Sequence, residues 1–528
     1  MAERHIHSRH IHSRRDLLRT APLLGAALSG SCSPTAKESR PNILFAIADD
    51  QSFPHAGAYG DRLARTPAFD RVAREGMLFT RSYCAAPSCT PSRSAILTGR
   101  AIWQVEEGGV LYGTVPPQYP LFTHKLEDAG YHVGFTGKPW APGNWQAGGL
   151  KRHPNGREFN QRKMPTPPPP GIDTRDYAAN FDDFLAARAA GQPFFFWFGC
   201  TEPHRVYDSG YGRRLGKRIE DVEVPGYWPD SEIVRNDILD YYAEVDWFDS
   251  HLARMLAALE RADELDNTIV VVTSDNGMPF PRSKVNLYDR GVHMPLAIRW
   301  GRRFSGGAGN DSFVSHIDFA PTFLEAAGVR PPETVAGRSL IPLLEGKAEA
   351  ERDCAFTALE RHTMCRPDGA TYPIRAIHTA RYAYLRNFQP DRWPTGGEFL
   401  SSNKTTHGDV DACPTKEFLL APATRARYQR QWDLCFGRRP AEELYDLQSD
   451  PAQLINLSSD PAHAATKIEL WQRLQTHLRA TGDPRIEGRD PWQSYVYHQT
   501  IGYGATFNRS LPQQERDRAA GRGSHKPE

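Results

Sequence analysis

The chain has 528 residues, which is enough for a large hydrophobic core and for two domains. Its 64 Lys and Arg residues nearly balance its 63 Asp and Glu residues, so the overall charge gives no sign of a nucleic-acid-binding or polyanion-binding protein. With 24% charged and 39% hydrophobic residues, the composition is that of an ordinary globular protein.

Residues 1–32 are predicted to be an export signal and not part of the fold. Residues 13–18 (Ser-Arg-Arg-Asp-Leu-Leu) and the apolar run at 21–28 are typical of a twin-arginine signal. Residues 28–32 resemble a lipoprotein cleavage box ending at Cys32, although the leucine lies one place further from Cys32 than usual. Lipidation of Cys32 and simple cleavage both stay open. The signal predicts an exported protein, periplasmic or at the cell surface. No segment is long enough to span a bilayer as a permanent helix.

Three strands are predicted to end in polar side chains after a polar linker at residues 33–40. The apolar run 42–48 ends in Asp49-Asp50, the aromatic run 194–200 ends before His204, and the run 268–273 ends before Asp275-Asn276. Because ligands bind at the carboxyl ends of strands in open α/β sheets, these side chains are predicted to line a site.

The rest of the first 350 residues alternates between helical and strand patterns. Residues 141–175, which include four consecutive prolines, are predicted to be irregular loop. Residues 41–350 are therefore predicted to form an α/β catalytic domain, with a mostly parallel mixed sheet between layers of helices. The helices are predicted at 66–76, 121–130, 181–190, 236–262 and 318–327, and further strands at 133–136 and 295–300.

Residues 351–495 are predicted to form a smaller α+β domain. Residues 374–378 and 381–387 alternate as in an antiparallel hairpin, and a final amphipathic helix is predicted at about 463–481. Cys354 and Cys365 are a candidate disulfide, although the sequence alone cannot establish pairing. The charged, Gly-rich tail at 496–528 is predicted to be partly disordered.

The most informative stretch begins at Cys89 and reads Cys-Thr-Pro-Ser-Arg-Ser-Ala-Ile-Leu-Thr-Gly-Arg. Pro91 and Ser92 suit a helix start, so the helix N–H groups and dipole are predicted to face the Cys89 side chain. A metal site is predicted from four hard oxygen donors, which favour Ca²⁺ with Mg²⁺ as the alternative. These donors are Asp49, Asp50, Asp275 and Asn276.

The stretch at Cys89 resembles the signature of the sulfatase family, Cys-x-Pro-Ser-Arg followed by a spacer and Leu-Thr-Gly. The similarity extends from Pro41 to about residue 495, and it is strongest toward the heparan N-sulfatase (sulfamidase) branch. The segments that carry that likeness are 273–287, 372–387, 443–457 and 490–492. The resemblance implies an alkaline-phosphatase-like fold and a maturation enzyme that oxidises Cys89 to formylglycine.

The resemblance also implies a role for each matching residue. It implies that Arg93 steadies the formylglycine, that Lys138 and Lys284 hold the sulfuryl oxygens, and that His204 protonates the departing atom. One hydroxyl of the hydrated aldehyde would attack sulfur and the second would then expel sulfate. The implied calcium shell is Asp49, Asp50, Cys89, Asp275 and Asn276.

The chain departs from the family pattern at two positions. Trp140 replaces the histidine of Gly-Lys-x-His, and residue 284 is lysine where the sulfamidase branch carries arginine. Trp140 is then a candidate for stacking on a sugar ring, and His132 or a water for taking the proton. Three other residues on loops, His293, Arg361 and His362, are expected to be structural.

We expect a sulfatase that hydrolyses sulfate esters or sulfamates on a glycan, such as one containing N-sulfoglucosamine. A phosphonate or phosphate ester hydrolase on the same fold is the first alternative, because these anions share the tetrahedral shape of sulfate. A non-catalytic protein that binds a sulfated glycan is the second, suggested by the missing histidine.

Overall fold

The structure is a computed structural model that describes residues 40–498, except residues 305, 348, 350 and 399–405. The predicted export signal with Cys32, linker residues 33–39 and the tail from residue 499 lie outside the described residues. Within the described part of the chain, no helix combines the length and apolar character needed to cross a membrane.

The larger sheet has nine strands in the part of the chain that is described. Their spatial order is β4-β3-β5-β1-β6-β7-β2-β8, and β9 also pairs with β2. β7 runs antiparallel to its neighbours β6 and β2, and the other pairs are parallel, so the predicted mostly parallel mixed sheet is confirmed. The strands are β1 (Asn42–Ala48), β2 (Met77–Tyr83), β3 (His132–Gly137), β4 (Arg157–Glu158), β5 (Phe194–Gly199), β6 (Thr268–Ser274), β7 (His293–Arg299), β8 (Ala308–Asn310) and β9 (Val314–Ser315).

Helices pack on both faces of this sheet, as predicted. The α-helices of the described residues are α1 (Pro67–Glu75), α2 (Cys89–Thr98), α3 (Phe122–Asp128), α4 (Tyr177–Ala186), α5 (Tyr211–Arg214), α6 (Glu232–Arg261), α7 (Asp289–Val292), α8 (Phe319–Ala326), α9 (Ile341–Leu344), α10 (Pro414–Leu420), α11 (Pro422–Arg427), α12 (Gln429–Phe436) and α13 (Ala464–Ala480).

Strand β1 lies at the centre of the sheet, which explains its unbroken apolar sequence. Successive side chains of a strand point to opposite faces. Phe45 therefore packs in one core with α3 and α8, while Leu44 packs in the other with α1, α4 and α6. Burying each large apolar side chain contributes about 1.5–3 kcal/mol, so both faces of β1 require hydrophobic residues.

A second, smaller sheet is antiparallel, in the order β10-β11-β12-β13. Its strands are β10 (Cys354–Leu359), β11 (Ile374–Thr379), β12 (Tyr382–Asn387) and β13 (Glu442–Asp446). One face is covered by α13 through Leu470, Leu474 and Leu478. The other face packs against Met294 of β7 and against Val285 in the loop that follows β6. The predicted hairpin and final helix are confirmed.

The structure differs from the sequence-based expectations in its strands, in one loop and in one cysteine pair. Strands β2, β8, β9, β10 and β13 were not predicted. β8 and β9 have only three and two residues, and the other three mix apolar and polar residues without strict alternation. The segment 141–175, predicted to be wholly irregular, contains the two-residue strand β4. Cys354 and Cys365 are both free thiols, so the candidate disulfide is absent from the described residues.

Candidate active site

The carboxyl ends of β1 and β6 bring four oxygen-bearing side chains together. The two strands are parallel neighbours in register from Asn42↔Thr268 to Ala48↔Ser274, so the residues that follow them are adjacent. The Asp50 amide donates to Asp275 Oδ1 at 3.1 Å, and Asn276 Nδ2 donates to Asp50 Oδ1 at 2.6 Å. Asp49 lies beside them, and all four side chains are fully buried.

Helix α2 places Cys89 against these carboxylates. Ser88 is the extended N-cap residue, and Ser92 Oγ donates to the Asp275 carbonyl at 2.6 Å, which ties the first turn of the helix to the end of β6. Cys89 Sγ lies 3.6 Å from Asp49 Oδ1. Burial raises the pKa of the Cys89 thiol well above its usual range. The unmodified thiol therefore stays protonated near neutral pH and is a poor nucleophile.

Arg93 lies one helical turn after Cys89, so its guanidinium lies on the same side of α2. Its Nε donates to Asp275 Oδ2 at 2.8 Å, and its Nη2 is 3.5 Å from Asp49 Oδ1. Its Nη1 donates to the carbonyl of Lys138 at 2.9 Å. The arginine thus links the ends of three strands, β1, β3 and β6.

Two lysines complete the charge balance of the cluster. Lys138, just after β3, places Nζ 2.7 and 2.6 Å from the two oxygens of Asp49, and Lys284 Nζ lies 2.7 Å from Asp50 Oδ2. Burial alone would raise the pKa of Asp49, but Lys138, followed by His204 and Arg93, holds it below its usual range.

The remaining carboxylates are less well compensated. Burial raises the pKa of Asp50 to about 7, although Lys284 opposes it, and burial raises the pKa of Asp275 to about 6, although Arg93 opposes it. Asn276 Oδ1 is buried without a hydrogen-bond partner among the described residues. The Asn276 side-chain oxygen, which accepts no hydrogen bond from the described residues, lies beside carboxylates whose negative charge is only partly neutralised. This combination fits a hard cation, so these residues suit the predicted Ca²⁺ or Mg²⁺.

His204 borders the same cluster after the end of β5. Its Nδ1 donates to the Arg205 carbonyl at 2.8 Å, and its Nε2 lies 3.8 Å from Asp50 Oδ2. Burial, and after it Lys284, lowers the pKa of His204. Because Nδ1 is committed to a carbonyl, Nε2 is the nitrogen that can exchange a proton at the cluster. The structure therefore brings together every residue predicted for the site.

Comparison with known proteins identifies the family to which this chain belongs. The sulfatase family model matches residues 41–329, more than half of the chain. The chain belongs to the sulfatase family. A second model, of the N-sulphoglucosamine sulphohydrolase C-terminal region, matches residues 282–394 of this sulfatase. The protein is accordingly a sulfuric ester hydrolase with an alkaline-phosphatase-like fold.

Similar proteins include an ulvan-active sulfatase of Formosa agariphila, 27% identical over 498 residues that cover 84% of this chain and 76% of that one. Human N-sulphoglucosamine sulphohydrolase is 27% identical and covers 86% of this chain and 92% of its own. A solved structure in complex with its substrate D-glucosamine-2-N,6-O-disulfate has a TM-score of 0.62 at 21% identity, over 85% of this chain and all of that one. A phosphonate monoester hydrolase from Silicibacter pomeroyi has a TM-score of 0.57 at 20% identity, over 84% and 96%.

Two expectations at the departure from the family pattern are wrong. Trp140 is buried in the core, where its Nε1 donates to Ser94 Oγ at 2.8 Å, so it cannot stack on a sugar. His132 is the first residue of β3, whereas Lys138 follows the end of that strand. A strand rises about 3.3 Å per residue, so His132 lies roughly 20 Å from the cluster and cannot take a proton there.

The sulfatase site also contains residues that sequence reasoning missed. Asp411, in a loop after the second sheet's β12, has a carboxylate oxygen within 4.8 Å of ligand atoms of Asp50 and His204, and its Oδ2 is 3.3 Å from Lys284 Nζ. Nothing around Asp411 in the sequence forms a motif, so no signal pointed to it. The Lys284 ammonium bridges Asp50 and Asp411. The group formed by Asp50, His204 and Asp411 is therefore already neutralised by a lysine of the same chain.

The three residues expected to be structural divide in two, and one of them, His293, begins β7 and does not lie on a loop. His293 stacks on Phe53 at 3.9 Å between ring centroids and is structural. His362 instead reaches the site, because its Nδ1 pairs with Ser88 Oγ at 2.8 Å. Arg361 lies one contact further away, because its carbonyl accepts from the amide of Leu111, which belongs to the cluster around Cys89, at 3.1 Å.

Proposed function

We propose that this sulfatase is exported and releases sulfate from sulfate esters or sulfamates of a sulfated glycan, such as one containing N-sulfoglucosamine. The observation that carries the proposal is the meeting of Cys89 with buried carboxylates and three buried cationic side chains at one edge of the sheet. The named activity of the human relative and the disulfated glucosamine bound by the solved neighbour support the choice of sugar.

Ca²⁺ would be held by Asp49, Asp50, Asp275 and Asn276, with Mg²⁺ as the alternative. The donor set supports this, because it consists of carboxylate and amide oxygens, and Asn276 Oδ1 is a buried acceptor with no donor among the described residues. When bound, the ion supplies positive charge that polarises the nucleophile and the sulfuryl group.

Formylglycine formed from Cys89 by a maturation enzyme would supply the nucleophilic hydroxyl. The raised pKa of the buried thiol supports this modification, since the unmodified side chain would stay protonated and unreactive. Arg93, anchored to Asp275 and to the Lys138 carbonyl, has no freedom to move away from position 89 and would orient the group there.

Lys138 and Lys284 would bind the sulfuryl oxygens of the substrate. Both ammonium groups are almost fully buried, so their attraction for an anion is weakly screened by solvent. His204 would hand a proton to the departing oxygen or nitrogen through Nε2, because its Nδ1 already donates to the Arg205 carbonyl.

The first test measures the mass of the peptide that contains Cys89 after co-expression with a formylglycine-generating enzyme. Conversion of the thiol to the aldehyde lowers the mass by about 18 Da and provides the expected nucleophile. The converted protein is then assayed for sulfate release from N-, 2-O- and 6-O-sulfated sugars in the presence of Ca²⁺. A thiol that stays unmodified, or a converted protein that releases no sulfate, would overturn the proposal.

The two alternatives make different predictions in the same assay. A phosphonate ester hydrolase, suggested by the fold shared with the Silicibacter pomeroyi enzyme, would cleave aryl phosphonates faster than aryl sulfates. A non-catalytic binding protein would bind a sulfated sugar without releasing sulfate, even with formylglycine present. Export through the twin-arginine machinery is tested by fractionating cells that express the wild-type leader or one with both signal arginines, Arg14 and Arg15, replaced by lysine.

A further inference from the structure

Arg361 is a buried cation without a carboxylate partner. Its side chain is 2% exposed, and no Asp or Glu oxygen lies within 4 Å of its guanidinium among the described residues. Nη2 donates to the Tyr495 carbonyl at 2.6 Å, and Nε is buried with no hydrogen-bond partner in that part of the chain. Nη1 has no partner there either but, unlike Nε, it is accessible to solvent.

This environment differs from that of two other buried arginines in the same domain. Arg375 meets Glu360 at 2.7 Å, and Arg485 meets Glu360 at 2.5 Å. The acid next to Arg361 in the sequence is therefore already committed. Leaving a buried charge uncompensated costs free energy, and such groups are concentrated where a ligand supplies the missing charge.

Arg361 is linked to the nucleophile through the segment that contains Leu111 and Tyr112. Its carbonyl accepts from the Leu111 amide, and Leu111 and Tyr112 pack against Cys89. The ring of Tyr497 lies 4.8 Å from that of Tyr112 and contributes to the same small cluster. Tyr497, which also acts electrostatically on the Arg361 guanidinium, thus connects this arginine through Tyr112 to position 89.

The acids nearest to Arg361 are bonded to other groups, so its Nη1 stays without a carboxylate partner among the described residues. Asp490 pairs with Arg485 at 2.7 Å. Glu107 accepts from the Thr114 hydroxyl at 2.8 Å and lies 3.6 Å from His498 Nε2. Both acids influence Arg361 electrostatically, but burial dominates and lowers its pKa. The guanidinium remains charged at any physiological pH, because arginine titrates far above that range.

We propose that Arg361 is the anion-binding group of a second subsite, which takes a further sulfate or carboxylate of the same substrate beside the sulfate that is cleaved. A guanidinium edge matches the planar or tetrahedral oxygens of these groups, and the partly exposed Tyr497 ring suits the apolar face of a sugar ring. The proposal rests on the proposed function and narrows its substrates to multiply anionic sugars.

The test compares Arg361→Gln with wild type on three substrates: a glucosamine with one sulfate, a glucosamine with two sulfates, and a monosulfated disaccharide with a uronate. We expect KM for a doubly anionic substrate to rise about tenfold or more, as for loss of a charge-assisted hydrogen bond, with less than about a twofold change for the monosulfated sugar. The substrate whose KM rises identifies sulfate or carboxylate as the second group. Arg361→Lys should recover part of the loss.

Arg392→Gln is the matched control, because Arg392 also lies in the smaller domain and donates to the Thr371 carbonyl and hydroxyl without a carboxylate partner among the described residues. It should leave all three KM values unchanged. Equal effects of Arg361→Gln on singly and doubly anionic substrates, or an equal effect of Arg392→Gln, would overturn the proposal.

A binding measurement separates this subsite from the proposed function. Calorimetric titration of Cys89→Ser with the same sugars needs neither formylglycine nor turnover. If wild type releases no sulfate, but the disulfated sugar or the uronate disaccharide still binds in a way that depends on Arg361, the subsite stands and the hydrolase proposal fails. If sulfate is released but neither KM nor binding depends on Arg361, only the subsite proposal fails. If the protein neither binds the sugars nor releases sulfate, the subsite and the hydrolase proposals both fail.

Discussion

Replacing Lys138 by methionine tests whether a metal ion and this lysine share the task of compensating Asp49. Lys138 Nζ contacts both oxygens of Asp49, and both side chains are buried. Removing one partner of a buried ion pair costs about 3–5 kcal/mol, and Arg93 at 3.5 Å leaves partial compensation. We therefore expect the metal-free variant to lose about 3 kcal/mol of unfolding free energy.

Calcium should reduce this loss by more than half, because the ion supplies the charge that the lysine no longer provides. The assay is chemical unfolding of both proteins in EDTA and in saturating Ca²⁺. Lys217→Met is the matched control, since the Lys217–Asp246 pair, at 2.6 Å, joins a buried lysine to a partly buried aspartate outside the cluster. Its loss should be the same with and without Ca²⁺.

The pH dependence gives a second test of the same reasoning. The pKa of Asp49 is depressed in the folded protein, so the ion pair stabilises the fold above the ordinary carboxyl pKa of about 3.9 and this stabilisation is lost as pH falls below it. The difference between wild type and Lys138→Met should therefore shrink under acid conditions. A loss that Ca²⁺ leaves unchanged, or no loss in EDTA, would refute the reasoning.

Three further outcomes are expected. The pKa values of Asp50 and Asp275 are raised to about 7 and about 6, so protons should compete with the metal for these carboxylates. Ca²⁺ affinity should fall as pH drops from about 7.5 to 5.5, and binding should release protons. A pH-independent affinity in calorimetry would contradict this. Cys89→Ala should abolish sulfate release while leaving the thermal unfolding temperature nearly unchanged, and residual turnover would refute covalent catalysis at this position. Trp140→Phe should lose about 1–2 kcal/mol of stability through its Ser94 hydrogen bond with KM unchanged, whereas a raised KM would place Trp140 at the substrate.

Much of the catalytic edge could be predicted from the sequence, because its residues follow local rules. The apolar run before Asp49 must be a central strand, and its carboxyl end must then lie beside the end of β6. Cys89 and Arg93 are one helical turn apart, so α2 alone fixes their relation. The resemblance to sulfatases added the lysines and His204, whose spacing in the chain carries no geometric information by itself.

Other parts of the site depended on contacts between distant segments. Asp411 reaches Lys284, and His362 reaches Ser88, only because the smaller sheet packs against the larger one, and no local pattern encodes that packing. Trp140 illustrates the converse, since its position after Lys138 suggested a substrate contact that burial against α2 excludes. Sequence alone thus determined which chemistry the strand ends and α2 could carry, since the positions of the strand ends and of the α2 residues follow from periodicity and helix geometry. Tertiary structure decided which side chains of the second domain, Asp411 and His362 among them, border that chemistry, because burial and pairing are set by long-range packing.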